Sequence, residues 1–380
     1  MFDVIIRNGS VFDSVNGIFL RTDVGINGRK ISKVGDLSTH SAKLEVDAEG
    51  MLVTPGLIDG HLHLFTKGSD EGVPADLALL PNGVTSAVDG GTAGVSTYDA
   101  FHQIDIHNSI TSIKSYINIS PLGMLHESIF ETTDKTFFSR ERLADTVEKY
   151  KDEIIALKLR YSLDLNENIS LDNLDAAIEM AEELKLPLVV HVTNPPVDMA
   201  EIAAKLRPGD IFCHSFQGRG DSIIGADGRV KPAVWAAKRR GVLFDASNGT
   251  KNYSHAVAKA AIAEGFYPDF ITTDASRVFH SIYKPRCFSL PYLMSKYLAL
   301  GMRLEEILKR TTIDVARFAH WDQKGVLAEG YDADVAIFKL VDKELDFADF
   351  RDALIHGNKI LMPRMTIKAG TIVYRQMDFC

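Results

Sequence analysis

Apolar and polar positions alternate in short stretches over the first fifty residues, and no helical period appears there. Phe2 to Arg7 reads as a strand, Asn8-Gly9 as a turn and Ile18 to Ile26 as another strand. Asn27-Gly28, set between alternating segments, predicts a tight hairpin. Ile31 to Val34 and Leu44 to Ala48 continue the pattern. From Leu57 the texture changes to short apolar runs bounded by turn residues: 57–64, 85–89, 115–119, 154–161, 188–192, 211–216, 242–246 and 270–273. Helical stretches lie between most of them, at 140–150, 171–184, 199–206, 232–240, 254–264 and 290–300. Apolar strands without alternation are buried on both faces, and strands separated by helices make a parallel sheet. Eight of them predict a closed (β/α)₈ TIM barrel. After helical segments at 304–310 and 312–319 the chain turns β-like again, at 334–340, 359–361 and 371–375. The expected architecture is α/β: a TIM barrel over 55–321, and a small β-sandwich built discontinuously from 1–54 and 322–380.

Composition narrows the function classes. A chain of 380 residues fits a barrel of about 250 residues with a second unit attached. Its formal charge of −9 and its lack of a long Lys/Arg run make a nucleic-acid backbone or an anionic membrane surface a poor partner. Cys213, Cys287 and Cys380 are scattered, with no metal-knuckle or disulfide-framework spacing, and read as free thiols. No leader-like start and no apolar run near the roughly 18 residues of a membrane span is seen, so the expected location is the cytoplasm.

The chemistry sits at the predicted strand ends. His61 and His63 are two apart on the first barrel strand, so both imidazoles point to the same side and can converge on one ion. Such a pair alone is more often two hydrogen-bonded structural histidines, but the Pro55-Gly56-Leu57-Ile58-Asp59-Gly60 entry places it at the barrel mouth. His191 and His214 each follow a buried apolar run, at the C-terminal face where barrel enzymes build their sites. Asp274 ends the eighth run; it could bind metal, accept a proton from water or cap the next helix. Lys158 shares inward parity with Ala156 and Arg160. A buried ammonium is costly without a partner. Either Lys158 pairs with Asp59 or Asp274, or its neutral amine takes up carbon dioxide as a carbamate able to bridge two metal ions.

Together these residues resemble the amidohydrolase superfamily, in its dihydroorotase-like branch of amidohydrolase/deacetylase metallohydrolases. The matching set is His61, His63, Lys158, His191, His214 and Asp274, with the Pro55–His63 entry, Lys158-Leu159-Arg160, His214-Ser215-Phe216-Gln217-Gly218 and Gly330-Tyr331-Asp332-Ala333-Asp334. The resemblance spans essentially the whole chain. It implies two divalent ions, usually zinc. His61, His63 and Asp274 would hold the inner ion, His191 and His214 the outer one, and carbamylated Lys158 with a hydroxide would bridge them. It implies hydrolysis of an amide or ester of a small acidic substrate, with Asp274 as general base and then acid. N-acetyl amino acids and acetylated hydroxy acids are the expected substrates.

The chain departs from the family pattern at Phe244–Thr250, with His255 further on, and at Ala275-Ser276-Arg277, where the group carries histidine-containing segments. Substrate identity is therefore open. Arg160, Arg277 and Asn248 are the candidate substrate contacts, Arg160 having the best inward parity, with Arg219 and His126 behind them. Residues 218–228 read as a loop over the mouth or an ordinary connection. The competing readings are a cyclic amidohydrolase of dihydroorotase or hydantoinase type and a non-catalytic assembly protein, which the intact ligand set disfavours. A homo-oligomer is compatible with the sequence.

Overall fold

The computed structural model describes residues 1–126, 128–129, 131–277 and 289–379. The chain ends build two sheets. Strand β1 (Phe2–Arg7) lies between β4 (Asp23–Asn27) and β6 (Ala42–Asp47), with β5 (Lys30–Gly35) beyond β4. The other sheet runs in the order β17 (Thr371–Arg375), β16 (Leu354–Lys368), β15 (Val335–Ala348), β7 (Leu52–Pro55), β2 (Ser10–Asp13) and β3 (Ile18–Arg21). Val4, Ile6, Val24 and Ile26 from the first sheet share one core with Val53, Val335, Ile337 and Ile367 from the second. The hairpin at Asn27-Gly28 forms as expected, with Asn27 opposite Lys30.

The run 18–26 is not one strand. It breaks at Thr22, and its halves join different sheets. The Asp23 carboxylate fixes this corner by accepting the backbone N–H groups of Asn8 and Leu37, both at 3.1 Å.

Seven parallel strands follow in sequence order: β8 (Leu57–Leu62), β9 (Val84–Asp89), β10 (Ser112–Asn118), β11 (Ile154–Arg160), β12 (Leu188–His191), β13 (Ile211–Cys213) and β14 (Leu243–Asp245). The eighth apolar run closes the barrel without forming a regular strand. Ala246 N donates to Phe270 O (3.0 Å) on one side, and on the other Asp274 N donates to His61 O (2.7 Å) and His63 N to Ala275 O (2.9 Å). The irregularity has a cause in Asp59. Its carboxylate takes the Thr273 N–H (3.0 Å) and hydroxyl (2.6 Å), so that backbone donor leaves the ladder. Ile58, Val88, Tyr116, Ala156, Val189 and Ile211 form an apolar cluster among the barrel strands. Polar chemistry is thereby confined to the C-terminal mouth.

Helices cover the outside. Leu171–Leu184 starts at a capping box in which Ser170 and Asn173 satisfy each other's backbone N–H groups. Helices 232–240 and 304–310 have the bounds their periodicity predicts, and those at 140–149, 199–205, 255–263, 290–299 and 313–318 are trimmed at their ends.

The largest difference from expectation is the β15–β16 hairpin, whose strands run 14 and 15 residues. Its outer half is rich in charged residues such as Asp342, Lys343, Glu344 and Asp346, which masked the strand. Cross-strand pairs Asp342–Lys359 (2.8 Å) and Asp346–His356 (2.9 Å) hold it. Its turn reaches the barrel mouth, where Phe350 lines the central cavity. Among the described residues no helix is long and apolar enough to cross a membrane.

Candidate metal centre

Five of the six ligand candidates bring their side chains together through short contacts or ring neighbours, and the sixth, Lys158, reaches the same place from β11. Asp274 Oδ1 lies 3.2 Å from His63 Nε2 and 3.8 Å from His61 Nε2. Lys158 Nζ is 3.2 Å from His61 Nε2. The rings of His191 and His214 are 4.3 Å apart, and His214 is 5.7 Å from His61, centroid to centroid. One possible ion-holding group is therefore His61, His63 and Asp274, all buried.

The backbone is bent to achieve this. His214 and Asp274 both adopt left-handed conformations, with φ of 64° and 52°, directly beyond the apolar runs that end there. Such conformations cost on the order of 1–3 kcal/mol each and persist where the surroundings enforce them. Space is cleared as well. A Cβ at Gly90, which follows β9, would lie 2.5 Å from His61 Nε2.

Three of the four histidines are oriented from behind. His61 Nδ1 faces Asp245 Oδ2 at 3.1 Å, and His214 Nδ1 faces Ser247 O at 2.7 Å. A backbone carbonyl only accepts, so His214 carries its proton on Nδ1 and turns the Nε2 lone pair to the mouth. His63 Nδ1 donates to Thr92 Oγ1 (2.8 Å), whose hydroxyl donates to Asp89 Oδ2 (2.8 Å). Outer partners of this kind fix ring orientation and raise ligand basicity.

Electrostatics favour the ligand forms. Burial holds His61 and His191 well below the usual histidine range and pushes His214 down to about 3. For Asp274, burial is outweighed by the His63 hydrogen bond and the neighbouring histidines, so its carboxyl lies below its usual value. Neutral imidazoles beside an ionised carboxylate are what a divalent ion requires. His63 moves the other way: burial lowers it, but the hydrogen bond to Asp274 and the nearby carboxylates prevail.

His61, Cys213 and Asp245 form a second cluster of potential ligand atoms. Burial pushes the Cys213 thiol up, away from thiolate, and the same Nδ1 of His61 is engaged by Asp245. We therefore assign this cluster to support of His61. Cys213 is a free thiol, as expected; Cys287 and Cys380 lie outside the described residues.

Lys158 is 1% exposed, and among the described residues no carboxylate lies within ion-pair distance of its Nζ; its contacts are His61 Nε2 and, at 3.8 Å, Cys213 Sγ. The expected alternative, an ion pair to Asp59 or Asp274, does not form. Asp59 is engaged with Thr273, and burial raises its carboxyl to about 7.

Above these groups opens a cavity of about 720 Å³. Arg160 and Arg219 line it, each ion-paired, to Glu131 and Asp164 respectively. His126 is at the rim, 3.0 Å from Asp70. Asn248 and Arg277 are not among the described lining residues. Asn248 is fully buried with its amide on Tyr297 (3.2 Å), while the Arg277 side chain is exposed. The 218–228 connection is anchored by Lys231 on Asp221 (2.6 Å) and by the buried Ile223.

Sequence reasoning missed Asn252. Its Nδ2 donates to Asp274 Oδ2 (2.8 Å) and its Oδ1 accepts from Thr193 Oγ1 (2.8 Å), leaving Asp274 Oδ1 for the histidine side. It also missed Asp89 and Thr92 behind His63, whose signal was Asp89-Gly90-Gly91-Thr92, a carboxylate and small residues at a strand end.

Comparison with known proteins agrees with this geometry. Residues 52–373 match the amidohydrolase family. A deacetylase of Agrobacterium fabrum is 29% identical over 349 residues, covering 91% of this chain and 85% of that protein. A deacetylase of Enterococcus faecalis is 28% identical over 374 residues, covering 98% and 99%. Crystal structures of an adenine deaminase and a dihydroorotase superpose with TM-scores of 0.90 and 0.89, each at 27% identity. They cover 99% and 98% of this chain, and 100% and 98% of theirs. The chain is a metal-dependent hydrolase and belongs to the amidohydrolase family.

Proposed function

We propose that this hydrolase is a deacetylase of small acidic substrates, N-acetyl amino acids or acetylated hydroxy acids. The convergence of His61, His63, Lys158, His191, His214 and Asp274 on one mouth carries the reading. The two relatives aligned over nearly the whole chain and named deacetylases support it. His61, His63 and Asp274 would hold one ion and His191 and His214 a second, a donor set that suits zinc; Lys158, buried and without a carboxylate partner among the described residues, suits a carbamate shared by both. When bound, such a pair brings the pKa of water toward neutrality and polarises a carbonyl.

The chain's own residues do the rest. Asp274, held at Oδ2 by Asn252, accepts the proton of the attacking water at Oδ1 and returns it to the leaving nitrogen or oxygen. Arg160, fixed by Glu131, lines the cavity wall and offers its remaining N–H donors to a polar group of the substrate. The enzyme would act in the cytoplasm.

A second reading, a cyclic-amide hydrolase or a deaminase, is favoured by the two superposed structures. The adenine deaminase of Cereibacter sphaeroides aligns with 86 residues, 23% of the chain, whereas the two deacetylases align with nearly all of it. A panel assay of zinc-loaded protein separates the readings. Release of acetate from N-acetyl amino acids or acetylated hydroxy acids is expected; turnover only of dihydroorotate, hydantoins or adenine would overturn the deacetylase reading.

A further inference from the structure

The cavity is not lined by polar groups alone. Met124, Ile129, Leu165 and Phe350 line it. Ile129 is 60% exposed, so its apolar surface is open to a ligand entering the mouth. Phe350 comes from the far end of the sequence, carried in on the turn of the β15–β16 hairpin. That turn is fastened to the barrel at three points. Asp349 Oδ2 accepts from His255 N (3.0 Å), Phe347 O faces His255 Nε2 (2.9 Å), and Phe350 N donates to Tyr253 O (3.2 Å). The ring also has a reserved place. A Cβ at Gly218 would sit 3.2 Å from Phe350 Cε1 and 2.7 Å from Ser254 Cβ.

The cations of the cavity are not equivalent. Arg160 and Arg219 are neutralised by Glu131 and Asp164. Lys251 lines the same cavity and has no ion pair among the described residues. A cavity with apolar lining and, in Lys251, a cation that faces Asp164 only beyond ion-pair distance matches an amphiphilic anion better than a small polar one.

We infer that this apolar lining is a specificity subsite: Phe350 and its apolar neighbours receive a large apolar side chain, and Lys251 receives the carboxylate of the same substrate. The preferred class is thus N-acetyl derivatives of aromatic or large aliphatic amino acids. This rests on the deacetylase reading. Phe350 acts here by contact with the non-reacting part of the substrate, so it sets relative kcat/KM and takes no part in bond cleavage.

The test uses the full-length, zinc-loaded protein with N-acetylglycine, N-acetylphenylalanine of both hands, and N-acetylphenylalaninamide. The wild type should favour one hand of N-acetylphenylalanine over N-acetylglycine by about tenfold or more in kcat/KM. Phe350→Ala should collapse that ratio about tenfold, chiefly through KM, while Phe350→Trp keeps it. Lys251→Met should raise KM for the carboxylate substrate about tenfold more than for the uncharged amide, and Lys251→Arg should restore the difference. A wild type without side-chain preference, or variants that depress all substrates in parallel, would overturn the subsite and leave deacetylation standing. A wild type that releases acetate from none of these compounds, nor from acetylated hydroxy acids, would overturn the deacetylase reading and the subsite with it.

Discussion

The ligand rim and the cavity wall meet in one mouth but are built by different rules. The rim takes one or two residues from the ends of β8, β11, β12 and β13 and from the closing segment, all buried and most held from behind by a second hydrogen bond. The wall takes residues from loops and from a hairpin nearly eighty residues beyond the last ligand candidate, as the positions of Asp274 and Phe350 show. A rigid sheet fixes the reacting groups, while loops resting on it set what fits above them. Perturbing the rim should destroy turnover with little change in fold, and perturbing the wall should do something smaller and more selective.

The sharpest break would come at the rim. His61→Asn or Asp274→Asn should lower turnover by about three orders of magnitude, with an unfolding temperature near the wild type's. Full activity in either variant, measured at saturating zinc, would remove the distinction. Lys158→Met separates chemistry from packing at one position. Because the amine has no carboxylate partner among the described residues, the metal-free variant should be no less stable than the wild type, while turnover falls at least about a hundredfold. Loss of stability on the scale of a broken buried ion pair would mean that the lysine is structural.

The wall's attachment should respond to pH. Burial holds His255 down at about 4, helped by Lys296 and Lys259 and opposed by its bond to Phe347 O and by Asp349. An unfolded histidine titrates near about 6.5. A histidine depressed by folding contributes stability that is complete above its unfolded pKa and lost as pH falls toward the folded value. From pH 7.5 to 5 the wild type should therefore lose about 2 kcal/mol more than His255→Gln in denaturant titrations. Parallel pH slopes would contradict this fastening.

The smallest effect lies where wall and rim touch. Asn252→Leu removes one hydrogen bond to Asp274 and should lower kcat roughly tenfold with KM little changed. A pure KM effect would place Asn252 among the wall residues instead.

The same contrast explains what could be read from sequence. That His61, His63, Lys158, His191, His214 and Asp274 meet at one mouth was legible because a buried strand imposes a period of two and ends at a known face of the barrel. Their supports were not. Ser247 contributes a backbone oxygen, which leaves no trace in residue type, and Asn252 owes its position to a turn in which Ser247 and Gly249 take positive φ. Asn248, from that same turn, faces Tyr297 in the interior, a direction no periodicity could assign. The eighth run was recognisable as apolar, yet its departure from a regular strand depends on Asp59, more than two hundred residues away in sequence. The charged outer half of the β15–β16 hairpin concealed a strand that is stabilised by cross-strand pairs and by its landing on Tyr253 and His255.

The claim beneath all of this is that the six residues hold two ions at once. Metal content per chain, measured after zinc loading in bicarbonate and removal of free metal, tests it most directly. About two equivalents in the wild type, falling to one or fewer in Lys158→Met and in His61→Asn, is the predicted result. A wild type that retains no metal, or that hydrolyses its substrate equally well after exhaustive chelation, would contradict the account.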